Sequence, residues 1–366
     1  MRIMFVTPGL RLGGAERWIA TLCKYLPETT IEGIYVTQRA YDTVMVQLCR
    51  RLGVPLLVPC EPIEPDVIVT WGVPNIRELI GATHVPVIEV SHNAPGSVPQ
   101  EYWDAACLQA THYAAVSRTA AGVFPAGHPV AVIEHGVDLE RLDHHDSDCR
   151  AELGLDGKVA LFVGRLEPEK HPEQVIEALV HLPSEWMAVL LGDGPMRDEC
   201  ISLARDSRRK VVFLSPREWV GDVYRAADCL VLPSEAEGAG LVILESWACG
   251  TPVVTTSFSA ARELQAKWGA DLLTTVSLPP NARELAGAIL FASRHQDAGL
   301  AQALVRKVCS AEKMALAWRQ YLEMVVESHR AFRAGLPRGS ETSIPAAASP
   351  PSENTATLLG GTATCE

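Results

Sequence analysis

Short apolar runs, each closed by polar or turn-forming positions, alternate along this chain with stretches of helical periodicity. A first series of strands is expected at Ile3–Thr7, Ile34–Thr37, Pro55–Val58, Val67–Thr70, Val87–Ser91 and Ala114–Ser117, closed by Val130–Ile133. A second series begins at Val159–Val163 and continues at Ala188–Leu191, Val211–Leu214, Asp228–Leu232 and Val253–Thr256. Helices are expected after Pro172, Met196, Arg217 and Gly240. This alternation predicts an α/β protein with two parallel sheets, each built from right-handed strand–helix–strand units. The acidic, His-rich stretch Asp143–Asp148 reads as a linker, dividing a first domain at 1–143 from a second at 144–310. A long amphipathic helix is expected from Ala311 to Arg333, within 311–334. From Gly335 the composition turns to Pro, Ser, Thr, Ala and Gly, so 335–366 are expected to be a disordered tail.

A chain of 366 residues exceeds one ordinary core and fits two domains plus a tail. With 48% hydrophobic and 21% charged residues it is globular in composition. The net charge of −12, negative in both halves, argues against nucleic acid as a partner, because duplex binding needs a basic face. Arg50-Arg51 is a small basic spot, read as a solvated helix end, so peripheral membrane contact is not favoured. The ten cysteines show no Cys-x-x-Cys spacing. The run Ile3–Val6 is too short for a signal-peptide core, and no stretch reaches bilayer length. A cytoplasmic protein with reduced thiols is expected. The residue types in His144-His145-Asp146-Ser147-Asp148-Cys149 suit a metal, but the segment lies in the linker, away from any strand end. It reads as a solvated hinge, and metal-independent chemistry is expected.

Candidate chemistry concentrates in the segment Pro233–Glu245. A glycine-broken loop there joins a strand to a helix running from about Leu241 to Cys249, with Glu237 and Glu245 eight positions apart. A helix start behind Gly240 offers free backbone N–H groups, from Leu241 onward, and a positive dipole end that suits phosphate. Glu245 is the lone charge in an apolar helix and needs partners; ligand hydroxyls would serve. Arg165 directly follows the strand ending at Gly164, and Lys170 lies just ahead of Pro172 at a helix start. Cations in such a strand-to-helix loop sit where α/β proteins bind ligands. Near the N-terminus, Gly13 and Gly14 allow close backbone approach, and Glu16 serves as a first-turn acid. This loop is not a Gly-x-Gly-x-x-Gly dinucleotide fingerprint, no acid ends the second strand, and no Gly-Lys-Ser/Thr follows, which excludes a P-loop. His92 ends the fifth strand before a Pro/Gly turn and is expected to reach into a cleft.

Taken together these motifs resemble the family-4-type retaining glycosyltransferases, which have the GT-B fold. The resemblance covers about residues 2–334 and is strongest over 159–263. It rests on the Glu237…Glu245 pair, the turn Gly250-Thr251-Pro252-Val253-Val254, the run Gly164-Arg165-Leu166…Lys170 and the loop Gly13-Gly14-Ala15-Glu16. It implies two Rossmann-like domains with parallel sheets facing across a cleft, and a last helix that crosses back to the first domain. A nucleotide sugar, UDP- or GDP-linked, would be held by the second domain and a hydroxyl acceptor by the first, with no cofactor. By the same resemblance Arg165 and Lys170 clamp the donor diphosphate, Glu245 holds the ribose and Glu237 orients the donor sugar. The Gly240–Leu241 amides take sugar or phosphate, Gly13 and Gly14 face acceptor and phosphates, and His92 lies by the reacting face. Five positions depart from the family pattern: His171 and Ala239 replace a usual Gly and Phe, Ser259-Ala260 replaces paired glycines ahead of Glu263, and His135 replaces Asn. The changed Ser259-Ala260-Ala261 loop leaves a non-catalytic nucleotide-sugar- or glycan-binding relative as the alternative.

Overall fold

The computed structural model describes residues 1–11, 13–26, 30–57, 64–80, 84–144 and 148–335. The first sheet contains β1 (Arg2–Leu10), β2 (Thr30–Tyr41), β3 (Leu56–Leu57), β4 (Val67–Thr70), β5 (Val87–Ser91), β6 (His112–Ala115) and β7 (Val130–Val132). Its spatial order is β3-β2-β1-β4-β5-β6-β7. The second contains β8 (Lys158–Val163), β9 (Trp186–Leu191), β10 (Val211–Leu214), β11 (Cys229–Leu232), β12 (Val253–Thr256) and β13 (Thr274–Val276), in the order β10-β9-β8-β11-β12-β13. The strand pairs are parallel.

Central strands of parallel sheets are covered on both faces, which is why they read as continuous apolar runs. In β1, Ile3 and Phe5 pack in one core while Met4 and Val6 pack in the core on the opposite face. In β8, Val159, Leu161 and Val163 face one core of the second domain, and Ala160 and Phe162 the other. Each sheet reverses its winding between two neighbouring strands, β1/β4 in the first and β8/β11 in the second. Ligands of open α/β sheets bind beyond the carboxyl ends of strands at such points.

Several boundaries differ from the sequence expectation. β1 and β2 extend further, the helix expected after Arg217 begins at Gly221, and β13 was not anticipated because two threonines leave it little apolar signal. The first domain also ends earlier than residue 143, since Val137 and Leu142 already pack in the second domain's core. The chain crosses twice between domains, and the crossings pair: Val137 N donates to Cys309 O at 2.7 Å and Ala311 N to Val137 O at 2.9 Å. The helix Ala311–Gly335 then packs Trp318, Tyr321, Leu322 and Val325 into the first domain's core. Trp318 meets Trp18 edge-on at 5.0 Å, and the Tyr321 hydroxyl donates to Tyr113 O at 3.1 Å. Val58, the linker positions 145–147 and the tail 336–366 lie outside the described residues. Eight described cysteines are unpaired, and no helix among the described residues is long and apolar enough to cross a membrane.

Candidate active site

Beyond β8 the chain turns through Gly164 and Arg165 into the short 3-10 turn Pro168–Lys170 and then the helix Pro172–Leu179. His171, between them, holds a left-handed conformation at φ +49°. That explains a usual glycine there, and the imidazole compensates by bridging Glu173 and Glu235, each at 3.0 Å. The β8 loop is tied to the β11 loop: Glu235 N donates to Glu169 O at 2.9 Å. Lys170 Nζ donates to Glu237 Oε1 at 2.8 Å and to Ala236 O at 3.4 Å, across 67 sequence positions. Ser234 Oγ donates to the same Glu237 oxygen at 2.9 Å.

Burial opposes charge on His171, but its hydrogen bonds to Glu173 and Glu235 outweigh it and raise the imidazole above 6.5. A raised folded pKa means this stabilisation is fully present below the unfolded value and lost as pH rises through the folded one. Unfolding free energy of wild type relative to His171→Asn should therefore fall by about 0.5–1 kcal/mol from pH 6 upward through the raised value. Denaturant titrations at both ends of that range check it; parallel pH profiles for the two proteins would remove the bridge from the account.

Gly240 caps the helix Leu241–Ala248 at φ +69°, a conformation that suits glycine. Gly238 is fixed by a different constraint, because a Cβ there would stand 1.9 Å from His92 O of the first domain. The loop carrying Glu237 therefore rests on the carboxyl end of β5. Ser117 Oγ also donates to Gly238 O. Glu263 accepts from the amides of Arg118 at 2.9 Å and Thr119 at 2.8 Å, and from Thr119 Oγ1 at 2.8 Å, joining the domains at the other side of the seam.

Gly13 and Gly14 open the helix Gly14–Tyr25 after the end of β1. Glu16 lies in its first turn, within electrostatic reach of Arg165 in the second domain. Burial raises the Glu16 carboxyl to about 7, against the opposing pull of its own backbone N–H, Arg165 and Arg11. Arg165 itself is half-exposed and paired with Glu167.

Two expectations need correction. His92 does not project freely into the cleft. Its ring lies among Trp18 at 4.8 Å, Trp71 at 5.8 Å and His135 at 5.7 Å. Neither ring nitrogen has a hydrogen-bond partner among the described residues, and burial, reinforced by His135, holds its pKa well below 6.5. The imidazole is thus neutral at physiological pH. Glu245, expected to find its partners in a ligand, already has protein ones. Arg141 Nη1 donates to Oε1 at 2.6 Å and the Tyr224 hydroxyl to Oε2 at 2.8 Å. With only 6% of Glu245 exposed, this is a buried ion pair.

Residues 148–307 match the family model for glycosyl transferases group 1. The matched stretch spans most of the second domain. A D-inositol 3-phosphate glycosyltransferase of Mycobacterium sp. (strain KMS) is 40% identical over 141 residues, 35% of this chain and 32% of the relative. The chain thus spans about a third of the length of such curated relatives. Among solved structures, HepE of Anabaena in complex with UDP and glucose superposes with a TM-score of 0.74 at 23% identity, covering 90% of this chain and all of the other. Sucrose-phosphate synthase of Thermosynechococcus elongatus gives 0.70 at 17%, covering 89% and 99%. The fold is GT-B: two parallel-sheet α/β domains.

Within the second domain, Ser259-Ala260-Ala261 starts the helix Ser259–Trp268, with Ala260 and Ala261 fully buried in the core. The replacement of paired glycines is absorbed as packing. Ala239 instead packs against the first domain's core. Sequence reasoning did not find Arg141 and Tyr224 as partners of Glu245, nor Glu263 as the tie to the first domain. A lone buried carboxylate does announce that a cation must meet it. Nothing in local spacing places that cation 104 positions away.

Proposed function

We propose that the protein is a retaining hexosyltransferase that moves a sugar from a UDP- or GDP-linked donor to a hydroxyl acceptor without metal or cofactor. The observation that carries this reading is the Lys170–Glu237 contact that joins the loops after β8 and β11, three residues ahead of the Gly240 helix start and one residue from Gly238, which packs on His92 O of the first domain. A lysine ammonium has three N–H donors. Two are directed at Ala236 O and Glu237, which leaves a third for a phosphoryl oxygen. Both donors to Glu237 use Oε1, which leaves Oε2 to accept a sugar hydroxyl.

In this reading Arg165, Lys170 and the Leu241 amide receive the diphosphate and stabilise the negative charge that grows on the departing nucleoside diphosphate. The two side-chain cations supply positive charge that a divalent ion brings in other transferases. Glu245, oriented by Arg141 and Tyr224, retains a second lone pair on each oxygen for the ribose hydroxyls. His92, whose carbonyl oxygen packs on Gly238, holds a neutral ring among Trp18, Trp71 and His135 and shapes the reacting face without contacting it. Glu237 is tied through Oε1 and acts by orientation, which favours front-face transfer over a covalent double displacement. The acceptor hydroxyl then attacks from the side the diphosphate leaves, and configuration is retained.

One structural neighbour supports the donor class, since HepE was solved with UDP-glucose; the curated relatives, named D-inositol 3-phosphate glycosyltransferases, support sugar transfer. A thermal-shift panel of UDP- and GDP-hexoses tests the reading. At least one should raise Tm in a concentration-dependent way; no shift with any of them, at millimolar ligand, would sink it.

A further inference from the structure

Arg17 lies in the first turn of the helix Gly14–Tyr25, immediately behind Gly13 and Gly14. It is 8% exposed, and no hydrogen bond or ion pair of its guanidinium occurs among the described residues. An arginine carries five N–H donors in a fixed fork and does not shed its charge in a protein. Leaving such a group desolvated without an acceptor is costly, and native proteins pair buried charges.

The charges around Arg17 make this more pointed. Its electrostatic neighbours are Arg141, Glu245, Asp138 and Arg51. Both acids are already engaged. Glu245 accepts from Arg141 at 2.6 Å and Tyr224 at 2.8 Å. Asp138 accepts from Lys24 Nζ at 3.2 Å, from the Tyr25 hydroxyl at 2.8 Å and from Arg141 N at 3.1 Å. Arg51 is paired with Glu218, Nη1 to Oε2 at 3.0 Å. Arg17 is therefore a buried cation among counter-charges that are all held by other groups.

We infer that Arg17 is a ligand-binding residue contributed by the first domain, whose guanidinium receives an oxyanion of a molecule bound in the cleft. Its location rests on the donor reading above. The planar fork suits a phosphoryl or carboxylate group held by two parallel hydrogen bonds. Two sources share that chemistry: the diphosphate of the donor, or an anionic group on the acceptor. Arg17 belongs to the first domain and Lys170 to the second, so an anion touching both would couple domain closure to occupancy.

Calorimetric titration of the full chain tests this, with UDP and GDP as one arm and a polyol monophosphate, in the presence of saturating UDP or GDP, as the other. Arg17→Gln should weaken one arm by about ten- to a hundredfold, Arg17→Lys by less, and uridine or guanosine binding should not change. Loss in the first arm assigns the diphosphate; loss in the second alone assigns the acceptor. Should Arg17→Gln fail to fold, Arg17→Lys carries the test, because a preserved charge without the fork must still weaken the arm that Arg17 serves. Wild-type affinity in both arms for a folded variant, with Lys170→Ala impaired, would overturn the inference and leave the donor reading standing. No nucleotide binding by wild type would overturn both.

Discussion

Lys170→Ala is expected to lower kcat/KM for the nucleotide sugar about a hundredfold, on the order of 2.7 kcal/mol of transition-state stabilisation. The ammonium is mostly buried and reaches both Ala236 O and Glu237 from a loop whose geometry is fixed by the His171 bridges. Its removal withdraws positive charge from where the leaving diphosphate develops its own, and it also frees Glu237 from the contact that orients Oε2. Both losses act on the transition state more than on the bound substrate, so kcat should fall with a smaller change in KM. Steady-state kinetics beside a melting curve separate this from misfolding. A folded variant with wild-type turnover would remove Lys170 from the chemistry.

Glu245→Ala should cost about 3–5 kcal/mol of stability, because it strands the Arg141 guanidinium and the Tyr224 hydroxyl in a buried site. Arg141→Ala should cost a similar amount, since it leaves the carboxylate unpaired. Tyr224→Phe removes only one neutral donor and should cost about 1 kcal/mol. Equilibrium denaturation of the three variants gives the ranking. A Glu245→Ala protein within 1 kcal/mol of wild type would contradict the buried-pair description. The effect also bears on interpretation: lost activity in Glu245→Ala reports on folding as well as ribose, so Tyr224→Phe is the cleaner probe of how the carboxylate is oriented.

The fold was legible because parallel strands covered on both faces must be apolar throughout. β4, β5, β10 and β12 fall where the runs predicted them. β13 was not legible, since Thr274-Thr275 leaves almost no run, and the domain boundary was displaced because Val137 and Leu142 pack forward into the second core. Of the site, the positions of Lys170, Glu237 and Gly240 at strand and helix ends followed from local pattern. Their mutual contact did not, because it depends on two loops tied through Glu169 and Glu235. The enclosure of His92 and the pairing of Glu245 are tertiary facts: in each case the partners come from distant segments, Trp18 and His135 for one, Arg141 for the other. A buried carboxylate signals that it must be satisfied, not by whom.

The most direct test of sugar transfer is to mix the purified protein with UDP- or GDP-hexoses and hydroxyl acceptors, and to follow free nucleoside diphosphate together with the anomeric configuration of the product by NMR. Nucleoside diphosphate should appear only with an acceptor present, the glycoside should keep the donor's configuration, and Lys170→Ala should suppress both. An inverted product, or equal release by wild type and Lys170→Ala, would contradict the account.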